Sequence, residues 1–304
     1  GGEMRPRKPQ TFACICAIDM MRCRKPLIHM TAHKLLLASL SLALGSIGFG
    51  QTIFTDNFTA GNTNNWISSA AGNVTFSSGV MTVGAADSNG YAALQLSNAI
   101  TIEQGETLFF SLQFTTPAAV SATTNAFRLA MINTDTTLVN GTNPNITGSG
   151  YALFFNNKIG TSGGTLNSGQ FIYERVPETA GSLLTVAGPW GTVKSGSNND
   201  IVNGGLEVNT LYTLTFSATR NADDSVDVKS TFTDGALVNA TVSWRDETGV
   251  FTFNTFAIAG STIRPLAVDN VTISVSAIPE PSTYAMIFGG LALGFVVWRR
   301  KRSR

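Results

Sequence analysis

Cysteine and histidine are confined to the first 33 residues of this 304-residue chain, as Cys14, Cys16, Cys23, His29 and His33. Everything after His33 lacks both, which excludes disulfides, thiolate nucleophiles, Ser-His-Asp triads and imidazole metal sites from that part of the molecule. Charge is scarce too, at 13%. Between residues 51 and 278, eight Lys or Arg stand against sixteen Asp or Glu, a net charge of −8. An acidic segment with no basic stripe is repelled by phosphate backbones, so no nucleic-acid partner is expected. The same span has no capped, sustained 3.6-residue apolar period and no short repeat, so little helix and neither a β-helix nor a propeller is expected. It also has no two acidic residues at i and i+2, the spacing that aims two carboxylates from one strand into one cleft.

From Met30 the chain reads MTAHKLLLASLSLALGSIGFGQTIF. Lys34 supplies a positive start, Leu35 to Phe49 an apolar run, and Gly48 and Gly50 small residues at −3 and −1 before Gln51. That is the three-part form of a secretory signal peptide, over residues 30–50. The apolar run falls short of the roughly 20 residues that a spanning helix needs. Residues 1–29 are expected to be an upstream extension of a chain that starts at Met30; the alternative is a long, basic n-region.

Residues 51–276 read as strands. In TLFFSLQF, Leu108, Phe110, Leu112 and Phe114 fall on one face and Thr107, Ser111 and Gln113 on the other. LYTLTFSA repeats the pattern with Tyr212, Leu214, Phe216 and Ala218, and after TRNADDS it recurs with Val226, Val228, Ser230 and Phe232. Asn and Asp suit the turn between them, which predicts a hairpin. Further strands are expected at VTFSS, VMTV, FRLAMI, YALFF, QFIYER, FAIAG and AVDNVTISV. About a dozen strands over this length fit one all-β domain, an antiparallel β-sandwich of jelly-roll type whose first and last strands lie near one another. In strand spacing, and in Asp56-Asn57-Phe58 at its start and Asp269-Asn270-Val271 at its end, the body resembles the concanavalin-like and laminin-G-like jelly rolls.

Three sets of residues are candidates for function in this body. Trp66, Trp190 and Trp244 are its tryptophans and could stack on sugar rings, although most tryptophans fill cores. Asp56 and Asp269, near the ends of the first and last strands, could share a structural Ca²⁺, as the jelly-roll resemblance implies for terminal strands; a lone strand-end Asp is more often a turn residue. Glu174, followed by Glu178, is the nearest approach to an acid in an aromatic setting, with Arg175 beside it suggesting a solvated strand edge. No other cofactor is expected. A non-enzymatic structural or adhesive body is favoured, then a carbohydrate-binding module, then a glycoside hydrolase.

The chain closes with AIPEPSTYAMIFGGLALGFVVWRRKRSR, where Tyr284 to Trp298 is an uncharged run of 15 residues and five of the last six residues are basic. As a helix that run is about 22 Å long, against roughly 30 Å of hydrocarbon, which Ser282, Thr283 and local thinning could make up. The cationic end marks the cytoplasmic side, and the signal peptide sends the body to the other. PEPS, the apolar helix and RRKR together resemble the PEP-CTERM sorting signal of Gram-negative, exopolysaccharide-producing bacteria, on Pro279, Glu280 and Pro281. Ile278 stands where Val is common and the helix is a little short. The resemblance implies exosortase as partner, residues 277–304 as a sorting signal whose single transmembrane helix and basic tail anchor the chain transiently in the inner membrane, and a processed body at the cell surface or in the extracellular matrix, where exopolysaccharide is a further partner.

Overall fold

The structure is a computed structural model and describes residues 50–61, 66–69, 73–84, 91–115, 127–142, 146–156, 169–175, 181, 189–196, 209–233, 240–260, 265–277 and 281–302. The expected extension at 1–29, the signal peptide up to residue 49, and Glu178, Pro279 and Glu280 lie outside the described residues.

Period-two alternation builds the first sheet. Its eight antiparallel strands run in the order β13 (Thr241–Asp246), β12 (Val226–Phe232), β11 (Tyr212–Arg220), β6 (Glu106–Thr115), β15 (Leu266–Ala277), β4 (Val80–Val83) and β3 (Val74–Ser77), while β1 (Gln51–Asp56) pairs with β15. The apolar faces meet residue against residue: Phe114 opposite Tyr212, Leu112 opposite Leu214, Phe110 opposite Phe216 and Leu108 opposite Ala218. All eight are buried in one core. The predicted hairpin forms, closed by Asn221 N–H donating to Ser225 O at 2.8 Å. The first and last strands lie side by side, with Gln51 opposite Val275 and Asp56 opposite Val271.

The second sheet has seven antiparallel strands in the order β10 (Val193–Ser195), β9 (Gly169–Arg175), β8 (Ser149–Asn156), β7 (Phe127–Asn133), β14 (Thr252–Ala259), β5 (Tyr91–Thr101) and β2 (Ile67–Ser68). It packs its inner side chains, among them Leu94, Leu129, Leu153 and Phe256, into the same core as the first sheet. The molecule's body is therefore an antiparallel β-sandwich. The second sheet is also covered on its outer side. Tyr91, Ala93, Ala130, Ala152, Phe154 and Ala257 form a second apolar cluster there with Leu138, Ile146 and Trp190 from connecting segments. Strands buried on both faces lose the period-two signature, and this explains why β5, which opens with four buried residues, was not expected from the sequence.

The alternation placed Ser230 on an apolar face, and it is fully buried there. Its hydroxyl donates to Gln170 Oε1 of the opposite sheet at 2.7 Å. Gln170 Nε2, also buried, has no partner among the described residues. Removing the hydroxyl alone leaves a second buried polar atom unpaired, whereas removing both polar groups relieves the site. Ser230→Ala should accordingly cost about 1–3 kcal/mol in urea unfolding, and Gln170→Leu added to it should recover most of that loss. A double variant less stable than Ser230→Ala would contradict this account.

Beyond the sandwich, Pro281–Arg302 forms one helix, α1, with Pro at the first helical position and Arg299, Arg300, Lys301 and Arg302 in its last turn. Both ends suit the helix, since proline's missing N–H is not needed there and cations favour the C-terminal end of the dipole. Phe288, Leu291, Leu293, Phe295, Val296 and Trp298 are all exposed. At 100° per residue these positions spread around most of the circumference, so no single stripe can bury them against a partner helix or sheet. The expected transmembrane span is not matched in full: among the described residues no helix is long and apolar enough to cross a membrane.

Candidate functional site

Two of the three tryptophans are buried outright, and the third, Trp244, packs half-exposed against the main core. Trp66 is 3% exposed. It donates its indole N–H to Asp56 Oδ2 at 3.0 Å, with Phe54 and Phe58 rings around it at 6.2 and 6.0 Å. The other Asp56 oxygen accepts the Phe58 N–H at 2.8 Å and holds Phe58 at φ 57°. Asp56 thus acts as a turn residue and indole acceptor at the end of β1, and among the described residues there is no group of three or more metal-ligating side chains near it or elsewhere. Asp269 sits half-buried at a bulge in β15. Trp190 is completely buried in the outer cluster, 6.0 Å from Phe154.

Arg175 sits in that same outer cluster rather than at a solvated edge. It is 1% exposed, its Nη2 donates to Ile146 O at 2.6 Å and Gly181 O at 3.0 Å, and its guanidinium lies 5.3 Å from the Trp190 ring centroid. Burial pulls its pKa down to about 10, which still leaves it charged at neutral pH. Nearby, Arg128 lies 5.0 Å over the Phe154 ring, its pKa also lowered by burial and partly restored by Tyr173.

Trp244 is the half-exposed tryptophan, and it lies with Glu174 where the edges of the two sheets meet. Glu174 pairs with Lys194 at 2.9 Å, and the Lys194 ammonium stands 5.2 Å over the Trp244 ring. Ser195 Oγ donates to Ser243 O at 2.7 Å and ties the edge strands β10 and β13 together. Beneath them the Tyr151 hydroxyl donates to Asp246 Oδ2 at 2.8 Å and accepts the Val250 N–H at 2.7 Å. Burial, with the Asp246 carboxylate adding to it, pushes the Tyr151 phenol far up, so it stays protonated. Asp246 Oδ1 in turn accepts from Thr248 N and Oγ1 at 3.0 and 2.9 Å. The two acids here are therefore an ion-paired carboxylate and one saturated with hydrogen bonds, neither held out toward a cleft.

A different place on the surface, which the sequence did not lead us to expect, is an open polar depression. On the outer side of the second sheet, β5 and β14 pair at Gln95 with Thr255 and again at Ile100 with Phe253, so Leu96 to Ala99 bulge out opposite Asn254 alone. The segment after β7 is drawn over this bulge by two amide side chains that imitate a neighbouring strand. Gln95 accepts Leu138 N–H at 3.0 Å and donates to Thr136 O at 2.8 Å. Asn254 accepts Thr134 N–H at 3.1 Å and donates to Thr134 O at 2.8 Å. Thr134, buried, is fixed again by its hydroxyl on Thr147 O at 2.7 Å. Between bulge and segment lies a depression of about 440 Å³, with Ser97, Asp135 and Thr137 on its walls.

The solved structures similar to the body include the carbohydrate recognition domain of Emp46p in its metal-free form, at 11% identity and a TM-score of 0.44 over 71% of this chain and 90% of that one. Peanut lectin with a nine-residue peptide is similar at 12% identity and a TM-score of 0.40 over 76% and 100% of the two chains. Lectin I-B4 from Griffonia simplicifolia, metal-free, is similar at 11% identity and 0.43 over 73% and 98%. No curated protein matches the sequence. The match that does bear on function is at the tail: residues 277–302, from the last residue of β15 to the last of α1, carry a PEP-CTERM protein-sorting motif.

Proposed function

We propose that this is an exported protein that its C-terminal helix holds at the inner membrane until exosortase processes the tail, leaving a body that acts at the cell surface or in the extracellular matrix by binding or by structure and not by catalysis. The observation that carries this is the PEP-CTERM motif, together with a helix that is apolar around most of its circumference and ends in four cations. Such a helix suits lipid better than a protein groove, and its basic end suits the cytoplasmic face. The pairing of Glu174 with Lys194 and the saturation of Asp246 support a non-catalytic body.

In a host that makes exosortase, the body should be found outside the inner membrane without its tail; in the same host lacking that enzyme, the full chain should stay in the membrane fraction. An immunoblot against both ends of the chain reads the difference. Equal loss of the tail in both strains would reject exosortase as the partner.

A further inference from the structure

We propose that the depression between the β5 bulge and the segment after β7 is a saccharide-binding site that takes a single uncharged sugar unit of a polysaccharide. The proposal rests on the reading that the body acts by binding. The site is a shallow depression of about 440 Å³, open to solvent, with room for one ring of a longer chain that continues over the surface. What lines it then selects the ligand. Leu96 is the one apolar side chain, so there is neither an aromatic platform for a nucleobase nor an apolar slot for a lipid chain. No Lys or Arg lines it, and Asp135 adds a negative charge, so phosphate, sulfate and uronic acids are disfavoured. A lone carboxylate does not hold a metal ion.

The remaining chemistry is that of hydroxyl recognition. Asp135 is exposed, and its carboxylate has no hydrogen-bond partner among the described residues. Two carboxylate oxygens can accept from two adjacent hydroxyls of one sugar ring, and such charge-assisted bonds are the strong ones. The Ser97 and Thr137 hydroxyls, likewise without a described partner, both donate and accept, and Ser97 lies in the Leu96–Ala99 bulge that has left the register with β14. The walls are already in place. Gln95 and Asn254 spend both ends of their amides on the segment that carries Asp135 and Thr137, so a ligand does not have to order it.

The test uses the exported protein purified from its host, first sedimented with the host's own exopolysaccharide and then titrated calorimetrically with glucose, galactose, mannose, their disaccharides and glucuronic acid. Saturable binding of a neutral sugar is expected, with glucuronic acid weaker. Asp135→Asn, an exposed change that leaves the fold intact, should weaken binding roughly tenfold or more, as should Ser97→Ala combined with Thr137→Ala. Trp244→Ala should leave the affinity unchanged. If the wild-type protein neither sediments with the polysaccharide nor binds any sugar, the binding reading falls and the site with it. If it binds but Asp135→Asn and the Ser97/Thr137 variant match wild type, or glucuronic acid binds as well as the neutral sugars, the site assignment alone is overturned.

Discussion

Alanine at Pro279, Glu280 and Pro281 together is expected to abolish removal of the tail while leaving the sandwich as stable as before. The three residues 278–280 connect the end of β15 at Ala277 to the start of α1 at Pro281. A proline fixes its own φ and biases the residue before it toward extended backbone, so the native sequence resists continuing the helix backward. Alanine is the strongest helix former and removes that resistance. A peptide bond wound into the helix is closed to a protease-like enzyme, and the recognition residues are lost at the same time. The body should not notice, because its strands end at Ala277. The measurement is a pulse–chase immunoblot with tags on both sides of the motif: wild type should lose the C-terminal tag, and the variant should keep it and remain with membranes. Processing at the wild-type rate would sink the assignment of these residues as the sorting signal.

The second large effect belongs to Arg175. Arg175→Ala is expected to cost about 3–5 kcal/mol, the combined loss of two charge-assisted hydrogen bonds, the stack on Trp190 and the packing of a long buried side chain. For a domain of this size that is a fall of roughly 6–20 °C in melting temperature. The damage has a location as well as a size. Ile146 and Gly181 also bridge one another, with N–H to carbonyl bonds of 3.0 and 3.1 Å, so Arg175 Nη2 seals a joint between two connecting segments over the outer face of the second sheet. Trp190, buried against it, should shift its fluorescence to the red before the global transition in the variant and together with it in wild type. Arg175→Lys should recover only part of the loss, because an ammonium lacks the planar fork. A variant that melts within about one degree of wild type would show that the outer layer is held by its apolar contacts alone.

Legibility from sequence followed the range of the interactions. Ion pairs at the hairpin, such as Arg220 with Asp224 at 2.8 Å, join residues four apart on either side of a turn whose composition announced it. The depression has no such announcement. Gln95 reaches Thr136 and Leu138 across more than forty positions, and Asn254 reaches Thr134 across 120. An amide that will serve as a surrogate strand looks, in the sequence, like any polar residue at a strand end.

The sequence by itself determined three things: strands in the first sheet from period-two alternation, a PEP-CTERM sorting tail from the apolar-then-basic run behind Pro279-Glu280-Pro281, and an acidic body without the side chains for thiol or imidazole chemistry. Each depends on neighbours within a few residues, or on composition. Only the tertiary structure decided that the second sheet is covered on both sides, that Trp66 and Trp190 are buried, that Arg175 is buried beneath loops and that residues 95–97, 134, 135, 137 and 254 line one depression. The reason is physical: which face of a strand is covered, and what covers it, depends on chain segments arriving from far along the sequence, and their arrival leaves no periodicity in the residues they cover.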